Sequence, residues 1–281
     1  MTQLATRING VAVNCVDTGD RGLLYGDGLF ETIAVRNGRV SSWRRHMARL
    51  QAGCDRLGMP AVDTVQLALE VDELLAGAGH AVLKVIVTRG SGGRGYRISE
   101  KMKPRRILQL HPWPELPPAA PEAGVAARLC STRLCHSPLL AGIKHLNRLE
   151  QVLARQEWHD PQIAEGLLLD PDGRLVEGTM SNLFLVRQKE LLTPDLRGCG
   201  VAGIMRSIIL EQAERLSIPV NIRALYMDDL QTADEVFLCN SLFGIWPVIA
   251  VDGRPYRKGE ITMRMQQRIQ AGEDDGSAWQ P

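Results

Sequence analysis

The amino-acid sequence predicts two α+β domains with antiparallel-rich sheets and flanking helices. Turn dipeptides recur between β-forming runs, three segments repeat apolar residues with the period of an α-helix, and one proline-rich segment interrupts the 281-residue chain. A chain of this length has room for one large core or two moderate ones. The proline-rich segment therefore predicts where one domain ends and the next begins.

Four dipeptides predict β-hairpins. Asn9-Gly10, Asn37-Gly38, Asp172-Gly173 and Asp252-Gly253 each lie next to or between runs of strand-forming residues. Such dipeptides favour the two-residue turns that join antiparallel strands. The continuous apolar run Ala81–Thr88 predicts a strand that is buried on both faces. This pattern favours antiparallel sheets over a doubly wound parallel sheet.

Three segments predict amphipathic helices. Apolar residues recur at spacings of three and four from Met47 to Leu57, from Leu67 to Ala78 and from Met205 to Leu216. This spacing places them along one face of an α-helix.

The domain boundaries follow from composition. Residues 112–121 contain five prolines, which predicts a stiff interdomain linker. An N-terminal α+β domain would then cover residues 1–111, and a C-terminal α+β domain residues 122–270. The polar residues 271–281 are expected to form a disordered tail.

Composition excludes several classes of protein. The 33 basic and 32 acidic residues nearly cancel, so no bulk attraction to nucleic acid or anionic membrane is expected. Residues 1–10 lack an apolar signal segment, and no apolar run reaches membrane-spanning length. Cys130, Cys135 and His136 do not match a zinc spacing, so no metal site is predicted. The six cysteines are interpreted as reduced thiols of a cytoplasmic protein.

Lys144 is the most informative candidate for chemistry. Four apolar residues surround it in the sequence: Ile143, Leu146, Leu149 and Val152. Burial would lower the pKa of the lysine and leave a neutral amine, which can attack an aldehyde. A lysine that extends its charged end from a helix terminus into water is the alternative.

Two further segments have the composition of ligand-binding elements. Gly198–Arg206 is a glycine-rich turn that enters a predicted helix, and helix N-termini bind phosphate; a simple turn is the alternative. Glu177 follows a strand and precedes small polar residues. It could hold a charged partner in a cleft, or lie in water at the edge of a hairpin.

The loop Thr88–Tyr96 is rich in glycine and arginine. Arg89, Arg94 and Tyr96 could bind carboxylates, because the planar guanidinium group pairs with both carboxylate oxygens. A flexible basic surface loop is the other interpretation.

Taken together, these motifs resemble the fold type IV pyridoxal-phosphate enzymes, the group of branched-chain and D-amino-acid aminotransferases. Six motifs occur in the order that is typical of this group: Tyr25–Thr32, His46–Leu50, Arg89–Tyr96, the run around Lys144, Glu177 to Phe184, and Gly200–Met205. Within the group, Thr32, Gly92–Tyr96 and the run 141–151 are most similar to the aminodeoxychorismate lyases.

The resemblance implies pyridoxal 5′-phosphate as the cofactor, held mainly by the C-terminal domain. Lys144 would bond covalently to it, and Glu177 would pair with its pyridine nitrogen and keep the ring electron-withdrawing. The implied phosphate-binding groups are the side chain of Arg49, the backbone N–H groups of Ile204 and Met205, and Ser241, which stands where the transaminases have a threonine.

The implied reaction is elimination of pyruvate from 4-amino-4-deoxychorismate to give 4-aminobenzoate, a step of folate biosynthesis. Lys144 would remove the C4 proton, and Thr32 or Lys144 would supply the proton for the elimination. Candidates for substrate contacts are Tyr25, Arg89, Arg94 and Tyr96. Members of the group are usually homodimers with small-molecule substrates.

The chain departs from the branched-chain aminotransferases at two positions. It has Leu149 where they have tyrosine, and Thr32 where they have glycine. A D-amino-acid or branched-chain type aminotransferase is nevertheless the alternative function. A non-catalytic protein that binds the cofactor or acts as a partner subunit is disfavoured, because both Lys144 and Glu177 are present.

Overall fold

The structure is a computed structural model that describes residues 5–99, 102–117 and 120–271. The described residues form two compact units. In the first unit are residues 5–99, 102–115 and 143–147, and in the second are residues 116–117, 120–142 and 148–271. The division after residue 115 falls within the segment 112–121 that the sequence assigns to a linker.

The first unit contains an antiparallel sheet and three helices. Its elements are β1 (Ala5–Ile8), α1 (Arg21–Tyr25), β2 (Gly28–Arg36), β3 (Arg39–Val40), α2 (Trp43–Leu57), α3 (Thr64–Leu75), β4 (Ala81–Thr88) and β5 (Arg105–Pro112). The order of the five strands among the described residues is β1-β5-β4-β2-β3, and every pair is antiparallel. β4 is the predicted apolar strand, and it lies in the centre of this sheet.

The second unit contains a larger mixed sheet. Its elements are α4 (Ala120–Ala123), β6 (Val125–Arg133), α5 (Leu149–Arg155), β7 (Ile163–Leu169), β8 (Leu175–Gly178), β9 (Asn182–Arg187), β10 (Glu190–Pro194), α6 (Ile204–Arg215), β11 (Val220–Arg223), α7 (Met227–Gln231), β12 (Glu235–Asn240), β13 (Gly244–Val251), β14 (Arg254–Pro255) and α8 (Glu260–Ala271). The strand order is β11-β10-β9-β12-β13-β6-β7-β8. A further pairing of β8 with β9 closes six of these strands into a ring.

The predicted α+β class with antiparallel-rich sheets is confirmed, although three strand pairs are parallel. β6 is parallel to both β13 and β7, and β10 is parallel to β11. Turn dipeptides predict only antiparallel strand pairs that a short hairpin connects. Parallel strands need longer crossover connections, which these dipeptides do not indicate. The three predicted helical stripes correspond to α2, α3 and α6.

Three of the four predicted turn dipeptides, including Asn9-Gly10, adopt the left-handed backbone at both residues, whereas in Asp172-Gly173 only Gly173 does. Asn37 and Gly38, between β2 and β3, have φ values of 51° and 72°, and Asp252 and Gly253 have 45° and 79°. The turn between β9 and β10 has the same geometry at Gln188 and Lys189, with φ values of 51° and 65°. These residue types rarely adopt it, so the sequence did not predict this turn.

The remaining expectations concern the membrane, the thiols and the tail. None of the helices in the described ranges combines the length and apolar character needed to cross a membrane. All six cysteines lie in these ranges and are free. Residues 272–281 of the predicted tail lie outside the described residues, and Ala271 ends α8.

Candidate active site

The segment Ile143–Asn147 belongs to the first unit, although the sequence places it in the second domain. Its backbone bonds explain the difference. The Phe30 N–H donates to the Lys144 carbonyl over 2.9 Å, and the Leu146 N–H donates to the Gly28 carbonyl over 3.0 Å. The segment therefore lies along the beginning of β2.

The half-buried Lys144 points to an aromatic ring. Its Nζ lies 4.4 Å from the centre of the Phe30 ring, a distance at which the ring face attracts an ammonium group. Lys144 precedes α5, so it is not a residue of a helix end. Leu149 and Val152 are 75% and 50% exposed, so the predicted apolar surroundings of the lysine do not include them.

Thr32 lies on the same face of β2 as Phe30. The two residues are two positions apart, and side chains of a strand alternate between its faces. Lys84 of β4 is directly opposite Thr32, and its Nζ lies 5.4 Å from the centre of the Phe30 ring. Burial lowers the pKa of Lys84. The sequence shows Lys84 only as one residue of an apolar strand, and the strand register identifies it as a site candidate.

The opposite face of β2 carries a buried polar cluster. Glu31 is 1% exposed and accepts hydrogen bonds from His46 Nδ1 at 2.6 Å and from Arg49 Nε at 2.8 Å, and it also pairs with Arg49 Nη2. Burial by itself would raise the pKa of Glu31, but the charge of Arg49 and these hydrogen bonds outweigh it and lower the pKa to about 2. Burial lowers the pKa of His46. The role of Arg49 in phosphate binding stays a prediction.

The structure gives Arg89 a different role from the predicted one. Arg89 is 4% exposed, and its guanidinium group donates to Asp27 at 2.8 Å and to the carbonyls of Leu57 and Gly58 at 2.8 and 3.1 Å. All three guanidinium nitrogens are thus engaged inside the first unit. We therefore assign Arg89 to holding the ends of β4 and α2 together, not to substrate.

Arg94 and Tyr96 lie on the exposed loop after β4. Tyr96 is 83% exposed, and its ring centre lies 5.4 Å from that of Tyr25, another predicted substrate contact. Arg21 holds the loop by donating to the Gly95 carbonyl at 2.9 Å. This arrangement keeps Tyr25 beside Tyr96, and Arg94 is next to Gly95 in the same loop.

In the second unit, Glu177 is a buried carboxylate and is not at a solvated hairpin edge. It lies on β8, is 5% exposed and accepts a hydrogen bond from the Val201 N–H at 2.8 Å. Asn182 holds the same segment by donating to the Val201 carbonyl at 2.8 Å. The packing is tight, because a Cβ at Gly200 would lie 3.2 Å from Glu177 Oε2.

The glycine-rich segment leads into the N-terminus of α6. Gly203 is the N-cap, provides no capping side chain, and could not carry a Cβ, which would lie 2.0 Å from Asn182 Oδ1. Ile204 and Met205 begin the helix, and their N–H groups have no acceptor within it. The positive end of the helix dipole adds to the attraction for an anion.

Glu165 fixes the chain between Glu177 and Asn182. It is fully buried and accepts hydrogen bonds from Thr179 N at 3.1 Å, Met180 N at 3.2 Å and Ser181 Oγ at 2.8 Å. Burial raises the pKa of this carboxyl group. The sequence did not predict this role, since a lone glutamate in a strand gives no signal of its partners.

Ser241 lies in the turn between β12 and β13. The preceding Asn240 shapes this turn, because its Oδ1 accepts from Leu242 N at 2.9 Å and Phe243 N at 3.0 Å. Asn240 Nδ2 also donates to the Met180 carbonyl at 3.2 Å. Asn240 therefore joins the turn that carries Ser241 to the loop that Glu165 holds.

These residues fit pyridoxal phosphate chemically. The first unit offers an amine at Lys144, and the second offers a buried carboxylate at Glu177 and the N-terminus of α6. The close contacts of Gly200 and Gly203 restrict the glycine-rich segment to residues without a side chain. An amine, a carboxylate and an anion-binding helix terminus are the groups that a phosphorylated pyridine aldehyde requires.

Comparisons with known proteins agree with this chemistry. An aminodeoxychorismate lyase of Vibrio harveyi is 37% identical over 270 residues, which cover 92% of this chain and 97% of the relative. The crystal structure of 4-amino-4-deoxychorismate lyase from Pseudomonas aeruginosa has 51% sequence identity and a TM-score of 0.91, covering 95% of this chain and 98% of that one. A putative branched-chain-amino-acid aminotransferase of Methanocaldococcus jannaschii is 33% identical over 265 residues, 90% of each chain.

A family model described as amino-transferase class IV matches residues 28–251. The match includes β2, the Lys144 segment, Glu177 and the beginning of α6. The chain therefore belongs to the class IV aminotransferase family.

Proposed function

We propose that this protein is a lyase that eliminates pyruvate from 4-amino-4-deoxychorismate and releases 4-aminobenzoate. Two relatives that carry this activity in their names are 37% and 51% identical over nearly the whole chain. The observation that carries the proposal is the position of Thr32. Its side chain shares a face of β2 with Phe30, whose ring lies 4.4 Å from Lys144 Nζ. A hydroxyl group on the face of β2 that carries Phe30, the ring nearest the Lys144 amine, suits an elimination that moves two protons.

The cofactor of the proposed reaction is pyridoxal 5′-phosphate. Lys144 would hold it covalently through Nζ, and Glu177 would accept a hydrogen bond from its pyridine nitrogen. The phosphate would be bound by the backbone N–H groups of Ile204 and Met205 and the side chains of Arg49 and Ser241. When bound, the cofactor withdraws electrons from the substrate carbon that carries the amine.

The chain's own residues then move the protons. Lys144 Nζ removes the proton from C4 of the substrate, which requires the neutral amine. Expulsion of the enolpyruvyl oxygen at C3 requires a proton, which Thr32 Oγ1 or Lys144 Nζ would supply. The burial of Glu177 and its bond from the Val201 N–H fix this carboxylate before the cofactor binds.

The substrate carries two carboxylates, and its proposed contacts are Arg94, Tyr96 and Tyr25. Arg89 is left out, since its guanidinium group is occupied within the first unit. Lys84 is added, because it is a cation directly opposite Thr32. We further propose a cytoplasmic homodimer that supplies 4-aminobenzoate for folate biosynthesis. The six free cysteines are consistent with a reducing compartment.

The second candidate function is transamination of D-amino acids or branched-chain amino acids. The family description and the 33% identical relative favour it. It uses the same cofactor and the same lysine, so the cofactor alone does not distinguish the two functions.

A coupled assay for 4-aminobenzoate with purified protein and added cofactor tests the proposal. We expect turnover of aminodeoxychorismate, and no turnover by the Lys144→Ala variant. The same preparation is incubated with D-alanine or leucine plus 2-oxoglutarate. Rapid transamination without 4-aminobenzoate formation would reverse the order of the two candidates.

A further inference from the structure

We propose that His136, Asp170 and Cys199 form a binding site for a divalent metal ion of the zinc class. His136 follows β6, Asp170 follows β7 and Cys199 lies in the turn before α6, all in the second unit. One ligand atom of each residue lies within 4.8 Å of the ligand atoms of the other two. The proposed reaction uses none of these side chains.

The three donors suit a soft divalent ion. Zinc binds imidazole nitrogen and carboxylate oxygen at about 2.0–2.2 Å and thiolate sulfur at about 2.3 Å, and tetrahedral angles then separate the nitrogen and oxygen by about 3.4 Å. His136 Nε2 and Asp170 Oδ2 are now 2.7 Å apart and hydrogen-bonded. A bound ion would replace the shared proton, and the two side chains would move apart by a fraction of an ångström.

The surroundings already orient the donors. Asp170 Oδ1 accepts from the backbone N–H groups of Asp172 and Arg174 at 3.0 and 2.8 Å, which leaves Oδ2 directed towards His136. Asp172 Oδ2 lies 4.0 Å from His136 Nδ1, the ring atom that the ion would not use. At this distance Asp172 adds negative charge beside the imidazole without accepting a hydrogen bond from it.

Access and charge are both compatible with an ion. Asp170 and Cys199 are 2% and 8% exposed, whereas the His136 side chain is 35% exposed and gives a path from solvent. Arg174 is the competing cation, with Nη1 3.9 Å from Asp170 Oδ2 and Nη2 3.0 Å from Asp172 Oδ2. Its side chain is 41% exposed, so it can turn outward when an ion binds.

A bound ion would cross-link three segments that are distant in sequence. The Ser137 N–H already donates to the Gly198 carbonyl at 2.8 Å, so the segments of His136 and Cys199 are held together at the backbone. Sequence spacing could not identify this site, since long stretches of chain separate all three residues from one another.

Cobalt binding to the full-length protein tests the site. After removal of unbound cofactor and metal, Co²⁺ is titrated while difference spectra are recorded. We expect one equivalent to bind with thiolate-to-cobalt charge-transfer absorption, and Zn²⁺ to displace it. Cys199→Ser should abolish this absorption and lower the affinity by at least about tenfold, because loss even of an outer partner of a metal ligand costs 10–100-fold.

Cys135→Ser is the matched control. Cys135 is an exposed thiol next to His136, and it is not one of the three ligands. This variant should bind cobalt like the parent protein. His136→Ala, at a partly exposed position, should lower the affinity by a similar factor and replaces Cys199→Ser if that variant does not fold. Absence of stoichiometric cobalt binding would refute the site. So would charge-transfer absorption that disappears in Cys135→Ser and persists in Cys199→Ser.

Discussion

At the scale of single residues, Thr32 separates the two candidate functions. A general acid typically contributes about 10²–10⁴-fold to the rate. We therefore expect Thr32→Val, which keeps the shape and removes the hydroxyl group, to lower kcat for 4-aminobenzoate formation by about 10²-fold or more. Thr32→Ser keeps a hydroxyl group and should retain most of the activity. Steady-state kinetics of both variants measure this, and a Thr32→Val enzyme with nearly unchanged kcat would show that another group donates the proton.

Glu31 provides a pH-dependent prediction. Its folded-state pKa of about 2 lies below the ordinary value of 4.5, so its ionisation stabilises the fold above about pH 4.5. This contribution, about 3 kcal/mol, is lost as the pH falls from about 4.5 to 2. Glu31→Gln should therefore be much less stable than the parent protein at neutral pH, and the difference should shrink in acid. Urea unfolding of both proteins at several pH values measures it.

Glu73→Gln is the control for this prediction. Glu73 is also in the first unit and pairs with Arg7 at 3.2 Å, but its side chain is 64% exposed. An exposed pair contributes at most about 1 kcal/mol, so this variant should follow the parent protein at every pH. A pH-independent difference between Glu31→Gln and the parent would contradict the assignment of the low pKa.

The sequence predicts residue roles from motifs, but it does not show which partners a side chain has in the fold. The sequence singles out Lys144 and Glu177, because an amine and a carboxylate recur at fixed places in ordered motifs. It could not show that the Arg89 guanidinium group donates hydrogen bonds to Asp27 and to two backbone carbonyls, since these partners come from distant segments. The sequence also could not show the role of Glu165, because this residue acts by accepting hydrogen bonds from the loop at Thr179 and Met180.

At the scale of elements, the position of Lys144 depends on Gly28. A Cβ at Gly28 would lie 2.5 Å from the Val87 carbonyl oxygen and 2.9 Å from Leu146 Cδ1. Gly28→Ala should therefore push the Lys144 segment away from β2 and destabilise the protein by about 1–3 kcal/mol. We expect less cofactor to be trapped on Lys144 by borohydride reduction, measured by mass spectrometry of the intact chain.

Gly79→Ala is the matched control, because a Cβ at Gly79 would meet no atom within 4 Å. This variant should trap as much cofactor as the parent protein. Equal trapping by Gly28→Ala would mean that the segment tolerates the displacement and that the contact does not position the lysine.

Hairpins and helices were predictable from local signals, whereas the strand order was not. Asn-Gly and Asp-Gly turns and helical stripes depend on residues close in sequence. The three helices occur as predicted, as do the turns at Asn37-Gly38 and Asp252-Gly253. The parallel pairs of β6 and β10 depend on crossovers, and the pairing of β8 with β9 depends on closure of a ring. The assignment of Ile143–Asn147 to the first unit rests on two backbone hydrogen bonds that leave no mark in its own sequence.

At the scale of the whole molecule, each unit contributes proposed cofactor ligands from its own fold. Lys144 is attached to β2 in the first unit, and Glu177 and the beginning of α6 belong to the second. Contacts within each unit hold these residues before any ligand binds. Backbone hydrogen bonds to β2 hold the Lys144 segment. The Val201 N–H bonds to the Glu177 carboxylate, and Asn182 bonds to the Val201 carbonyl. The proposed ligand should therefore bind without large rearrangement of either unit.

A ligand that binds only the folded chain raises its stability by mass action, by about 2.7 kcal/mol at a hundredfold excess over Kd. We expect pyridoxal phosphate to raise the thermal midpoint of the cofactor-free protein by several degrees, because a chain of this size gains about 2–4 °C per kcal/mol. Pyridoxine phosphate has no aldehyde, so it should raise the midpoint less. In Lys144→Ala the two ligands should act equally, since only the covalent bond distinguishes them. A Lys144→Ala protein that still gains more from pyridoxal phosphate would place the covalent bond on another amine.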